Sequence, residues 1–220
     1  MPVQHPLSEY HSSDRPMSDR LFLVRHGRTA GNVSQVLTGG ADDPLDEVGQ
    51  AQAQAAAQWF AAQNLEAPRV YTSPFLRARQ TGSAIAQAFS SDITVLDGLQ
   101  EIAPGNWQGR PYADMLTHAH ELVRPDGSFG FPGGESLSEV AERFQAALTP
   151  ALAEAGTPIV VAHGGSLVAF LTALLGANVQ EAWLDGRYAH ANTAITELHW
   201  LEQGWQPVMI ASTTHLANHA

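Results

Sequence analysis

Two residue types are missing from this 220-residue chain, cysteine and lysine. Without cysteine there is no disulfide framework, no thiolate zinc site, no iron–sulfur cluster and no cysteine nucleophile. All 11 basic residues are arginine, which removes the Walker A lysine, the Schiff-base lysine of pyridoxal phosphate enzymes and the kinase-type phosphate lysine. Positive charge is itself scarce, giving a formal net charge of -11. A general nucleic-acid or anionic-membrane binder needs a basic face to displace counterions, so no nucleic acid and no membrane is expected as a partner. A small anionic ligand stays open, because a few arginines make a locally positive pocket in an acidic protein. No apolar run reaches the length of a membrane span, the longest candidate being "SLVAFLTALLGA", and a cytoplasmic protein is expected.

What is present suits one globular domain. Hydrophobic residues make up 44% of the chain, enough for a sizeable core. Residues 1–20 are polar and proline-bearing, without the basic start or apolar run of a secretory signal, and read as a flexible tail before a single domain over 21–220. "LFLV" (21–24), "RVYT" (69–72), "ITVL" (93–96) and "PIVVA" (158–162) are short and apolar, as buried strands are. Between them lie helical patterns. From Asp46, Val48, Ala51, Ala55, Trp59 and Ala62 fall at spacings of three and four and predict one buried face. A second helix is predicted from Ser136, where Ser136 and Glu139 make a capping-box pattern ahead of Val140, Phe144, Leu148 and Leu152, with Pro150 a point where it can kink or split. Strands separated by helices of this length imply right-handed crossovers. The expectation is an α/β three-layer sandwich, a mainly parallel central sheet flanked by helices on both faces, ending in two strands joined by a short turn. Residues 102–134, rich in glycine and broken by Pro111, Pro125 and Pro132, read as an excursion beside the site.

In such a sheet, ligands bind beyond the carboxyl ends of the strands. "LVRHG" sets Arg25 and His26 there, and "VVAHGG" sets His163 there. Taken singly, either histidine would be a hydrogen-bonded structural residue; two strand–His–Gly units in one sheet can bring two imidazoles together. Glycine after each permits close approach of backbone to ligand, and the helix opening near Ser166 offers free N–H groups to an anion. In "TSPFLRARQT", Arg77 falls one turn into a helix starting near Pro74 and can reach back over the strand end. Two guanidiniums near one point repel unless an anion joins them, and phosphate accepts paired hydrogen bonds from each. Glu101, after the third strand-like segment, becomes useful beside phosphate if it donates a proton to a leaving oxygen.

"LVRHGRTAGN", "TSPFLRARQT", "LQEIAPGNWQG", "PGGES" and "VVAHGG", in this order, resemble the motif set of the histidine phosphatase superfamily, also called the phosphoglycerate mutase-like family. The resemblance covers residues 21–211. It implies that His26 is the nucleophile that becomes phosphohistidine, that Arg25, Arg77 and His163 complete the phosphate pocket with Gly164, that Asn32 is a further phosphate contact, and that Glu101 is the proton donor. It also implies a small phosphorylated substrate, no cofactor and no metal.

The sequence departs from the family's common pattern at Arg28, where glutamate or glutamine is frequent, and at "EIAPGNW", which replaces a more usual acidic–aromatic pair. Both bear on the pocket mouth. Trp107, Tyr112, Phe129 and Phe131 either line an apolar pocket or pack under a loop, and Arg110 and Arg124 are candidates to meet a second anionic group. Three functions are compatible with these motifs: a phosphomonoester hydrolase, a cofactor-dependent phosphoglycerate mutase-type phosphoryl transfer, or a non-catalytic phosphoester-binding member. The first is favoured, since all the core residues are present and the stretch between Glu101 and His163 is shorter than in mutases resembling this family.

Overall fold

The strands alternate their side chains between two layers, and that alternation sets the architecture. The computed structural model describes residues 16–202 and 204–217. In chain order these form β1 (Arg20–Arg25), α1 (Ala30–Ser34), α2 (Glu47–Ala61), β2 (Arg69–Thr72), α3 (Leu76–Gln87), β3 (Ile93–Val95), α4 (Asp114–Thr117), α5 (Leu137–Leu152), β4 (Pro158–Ala162), α6 (Gly164–Leu174), α7 (Val179–Asp185), β5 (Ile195–Leu201) and β6 (Gly204–Ser212). The sheet runs β3-β2-β4-β1-β5-β6. Strands β1 to β4 run parallel, and β5 joins β1 on one side and β6 on the other in antiparallel pairs, so the mainly parallel sheet expected from the sequence is found with an antiparallel edge.

Leu21 and Leu23 of β1 point to one side, where Val160, Ala162 and Leu198 meet Val140, Phe144 and Leu148 of α5 and Leu167 and Phe170 of α6. Phe22 and Val24 point to the other, with Ile159, Val161 and Ile195 against Ala56 and Phe60 of α2 and Ala78 and Ile85 of α3. Two apolar layers on opposite faces of one sheet are why its central strands read as unbroken hydrophobic runs.

Helix α5 begins where its capping box predicts: Ser136 Oγ accepts from the Glu139 N–H and the Glu139 carboxylate accepts from the Ser136 N–H. It carries Pro150 within its last turn and ends at Leu152. Helix α2 forms where expected but turned. Gly49, Ala53, Ala56, Ala57 and Phe60 are buried, whereas of the predicted face only Ala55 is, and Val48 is 43% exposed. Alanine recurs on every side of this helix and carries little orienting weight; Phe60, edge-on to Phe22 at 5.3 Å, fixes the rotation instead.

Residues 1–15 of the expected tail lie outside the described residues. From Pro16 onward the chain runs against the fold: Met17 N–H donates to the Leu152 carbonyl at 2.9 Å and Trp200 N–H to the Asp19 carbonyl at 2.8 Å. The excursion 102–134 contains two 3-10 turns, Gly105–Trp107 and Ala119–Leu122, around the short α4. Among the described residues no helix is long and apolar enough to cross a membrane.

Candidate active site

The pairing register brings the two histidines together. Arg25 is level with Ala162 across the parallel β1–β4 pair, so His26 and His163, each one residue further on, leave the sheet side by side. Their ring centroids are 5.1 Å apart, and both rings are buried. On the other flank of β4, Thr72 is level with Val161, which sets Ser73 beside His163.

Each imidazole has one nitrogen tied down. His26 Nδ1 lies 2.7 Å from the Gly27 carbonyl; only a donor can sit against that oxygen, so Nδ1 carries the proton and Nε2 keeps its lone pair. The Nε–H of Arg77 donates to that Nε2 at 3.3 Å. Ser73 Oγ accepts from the Phe75 N–H and lies 2.8 Å from His163 Nε2. That oxygen has a second lone pair besides its proton, so the contact orients the His163 ring whichever nitrogen carries the hydrogen. Burial first, and for His26 the Arg25 and Arg77 charges next, hold the pKa of both rings well below the ordinary histidine value.

Arg77 is the second residue of α3, nearer the helix start than its sequence position suggested. Its Nη1 and Nη2 donate to the Ala41 and Gly39 carbonyls at 2.5 and 3.1 Å, and its guanidinium lies 4.9 Å from the Phe75 ring centre. Arg25 donates through Nη1 to the His190 carbonyl at 2.7 Å. Arg25 Nε and His163 Nδ1 are buried with no hydrogen-bond partner. An unfilled guanidinium donor in a buried cationic centre suits an incoming acceptor.

Glu101 caps α6. Its carboxylate accepts from the N–H groups of Gly165 and Ser166 at 3.2 and 2.9 Å, and from that of Ile102 at 2.9 Å. A Cβ on Gly165 would lie 2.8 Å from Glu101 Oε1, so only glycine admits this approach. The loop carrying Glu101 is held from α5, where Arg143 donates to the Gly98, Gln100 and Glu101 carbonyls and pairs with Glu135 at 2.7 Å. Asn32 turns its Oδ1 to the Thr29 N–H at 3.2 Å and to Asn192 Nδ2 at 2.9 Å.

Arg25, His26, Asn32, Arg77, Glu101 and Gly164 line one cavity of about 650 Å³, and His163 packs against His26 behind it. The six side chains and the glycine singled out in the sequence thus converge. Gly27 does something other than approach a ligand: the place of its missing Cβ is taken by the backbone of Gly49, so this glycine seats α2. Arg28 does not line the cavity and pairs with Asp46, the N-cap of α2, at 2.8 Å. Tyr112 and Phe131 line the cavity, while Trp107 and Phe129 are core packing.

Sequence reading missed several neighbours. Asn192 Nδ2 donates to the His26 carbonyl at 3.1 Å, and Thr81 Oγ1 accepts the Gly27 N–H at 3.0 Å. The adjoining Thr193 holds a positive φ of 57° and donates its N–H to the Arg25 carbonyl. Among the described residues no group of three or more histidine, aspartate or glutamate side chains is arranged to hold a metal ion.

The model of the histidine phosphatase superfamily (branch 1) matches residues 21–213. The chain is 32% identical over 209 residues to the protein of Salmonella paratyphi C named "Probable phosphoglycerate mutase GpmB", covering 90% of this chain and 94% of that one. It is similar in structure to a mycobacterial glucosyl-3-phosphoglycerate phosphatase, 28% identical with a TM-score of 0.72, over 89% of this chain and 99% of that one. It is also similar to the phosphoserine phosphatase of Entamoeba histolytica solved with 3-phosphoglyceric acid, 25% identical with a TM-score of 0.75, over 90% and 98% of the two chains.

Proposed function

The chain belongs to branch 1 of the histidine phosphatase superfamily, and from that membership we propose that it hydrolyses phosphomonoesters of small molecules through a phosphohistidine at His26. The observation that carries the proposal is the pairing of a deprotonated His26 Nε2 with an unfilled donor on Arg25. A phosphoryl group entering this centre takes up the Arg77 Nε–H, which frees the Nε2 lone pair for in-line attack. Arg25 and Arg77 then neutralise the charge on the equatorial oxygens, the work a divalent cation does in other phosphoryl-transfer sites. The Gly27 carbonyl stabilises the imidazolium character that develops as the N–P bond forms. Glu101 serves as general acid and passes a proton to the departing alkoxide. In the second step it takes a proton from water as that water attacks phosphorus, and inorganic phosphate leaves.

A mutase returns the phosphoryl group to a bound product and must keep water out meanwhile. This cavity opens to solvent past exposed Gln35, Leu116 and Ala189, which favours water as the acceptor.

The test is acid quenching of the wild-type protein with substrate. An acid-labile phosphoenzyme is expected, absent in His26→Ala, whose turnover falls by a factor on the order of 10³ or more while its circular dichroism is unchanged. Turnover in His26→Ala equal to wild type overturns the proposal. With 3-phosphoglycerate and a trace of 2,3-bisphosphoglycerate, released phosphate should exceed 2-phosphoglycerate; isomerisation tenfold faster, a partition of about 1.4 kcal/mol, would establish the mutase instead.

A further inference from the structure

We infer that the substrate's alcohol portion is apolar and carries no second anionic group, an inference that rests on the hydrolase reading and concerns the part of the cavity beyond the phosphate. That part is walled by Leu37, Met115, Leu116, Phe131, Val168 and Trp183. They come from four separate regions: the loop after α1, the excursion with α4, the helix α6 and the helix α7. Trp183 is braced edge-on by Phe131 at 6.1 Å and by Phe129 at 6.4 Å, which holds it as a rigid wall. Leu116 stands at the mouth, 64% exposed.

Charge gives the second half of the argument. Among the described residues lining the cavity, the only permanent cations are Arg25 and Arg77, and both belong to the phosphate centre. Arg110 and Arg124, the sequence candidates for a second anion, are neutralised elsewhere. Arg110 is shared between Asp114 and Glu121, at 2.8 Å each, and stacks 3.9 Å from the Trp107 ring centre. Arg124 pairs with Glu139 at 2.8 Å. His190 lines the cavity but has both ring nitrogens occupied, by the Tyr188 carbonyl and Thr196 Oγ1 at 2.8 Å each. Burial pushes its pKa down to about 4, so it is uncharged at neutral pH. Asp185 adds negative charge at the rim and is paired with Arg187. A carboxylate on the substrate would give up water here and meet no cation in return.

An alkyl chain, in contrast, gains with every methylene it buries, at most roughly fourfold each in kcat/KM. The experiment measures phosphate release from ethyl, butyl and hexyl phosphate, 3-phosphoglycerate and phosphoserine, all esters of alcohols rather than activated phenols. Expected is a rise of at least tenfold from ethyl to hexyl phosphate, with both carboxylate-bearing esters at least tenfold below butyl phosphate. Leu116→Arg, at a surface position, should raise the ratio of 3-phosphoglycerate to hexyl phosphate, and Trp183→Ala should lower the ratio of hexyl to ethyl phosphate. A flat alkyl series, or 3-phosphoglycerate turned over as well as hexyl phosphate, overturns the inference and leaves the hydrolase intact. No release from any ester, together with no phosphoenzyme from p-nitrophenyl phosphate, overturns the hydrolase reading itself.

Discussion

The division of labour among single side chains begins with where protons sit. His26 spends one nitrogen on its neighbour's carbonyl and offers the other to the cavity, while His163 spends one on Ser73 and leaves the other unfilled. Two chemically identical rings are thus given different surroundings by second partners that are themselves buried. Glu101 stands apart because its carboxylate both caps a helix and lines the cavity. Glu101→Gln keeps one acceptor oxygen, for the Ser166 and Ile102 N–H groups, gives up the one that serves Gly165, and offers no carboxyl proton, so most of the cap is retained and the chemistry is not. Turnover of alkyl phosphates is expected to fall by roughly 10² or more, and that of p-nitrophenyl phosphate much less, because nitrophenolate leaves without protonation. Equal slowing of both would assign Glu101 to capping alone.

At the scale of elements, the decisive contact is between two glycines. Helix α2 crosses the start of the RHG turn so closely that a Cβ on Gly49 would strike the Arg28 backbone and one on Gly27 the Gly49 backbone. Gly49→Ala adds up to about 1 kcal/mol of helix propensity, yet the backbone has no rotamer with which to give way, and overpacking costs about 1–3 kcal/mol. A lower urea midpoint and a lower kcat are expected together, because moving α2 moves the carbonyl that orients His26. A higher midpoint would show that the turn yields freely.

The same helix marks the boundary of what the sequence discloses. Strands β1 and β4 are legible because burial on both faces leaves an uninterrupted apolar run ending in charge, and α5 because Ser136 and Glu139 announce it. The rotation of α2 is illegible, since an alanine-rich pattern has no preferred side until Phe60 meets Phe22. His26, Arg77, Glu101 and His163 were legible as residues standing where strands or helices end. Ser73, Asn192 and Arg143 were not, because each acts on a partner far along the chain and carries no local pattern of its own.

For the molecule as a whole, three buried histidines tie stability to pH. His26, His163 and His190 all have pKa values lowered by burial. In the unfolded chain each takes up a proton near pH 6.5, while the folded protein does not. Between those values the unfolded state binds more protons, so stability rises with pH across that window and is lost as pH falls below about 6.5. His190 alone, at about 4 when folded, contributes a loss of about 2 kcal/mol by pH 5, and the other two act in the same direction. Urea denaturation should therefore show a lower midpoint at pH 5 than at pH 7, with part of the loss recovered by saturating vanadate, which occupies the phosphate centre. An unchanged midpoint would mean that these rings are protonated in the folded state.

The sheet order has a further consequence for how the protein is born. Strand β4 lies between β2 and β1, so the two parallel strands made first have no edge in common until residues 158–162 have been synthesised. A nascent chain that has passed Glu101 already carries His26, Arg77 and Glu101, yet it has no means of holding them in register, because the segment that aligns them has not yet been made. Pairing across such separations is slow, since chain entropy is lost before contacts repay it. Phosphoester cleavage is accordingly the last property this polypeptide acquires, and any premature termination before β4 yields a chain with most of the chemistry and none of the activity.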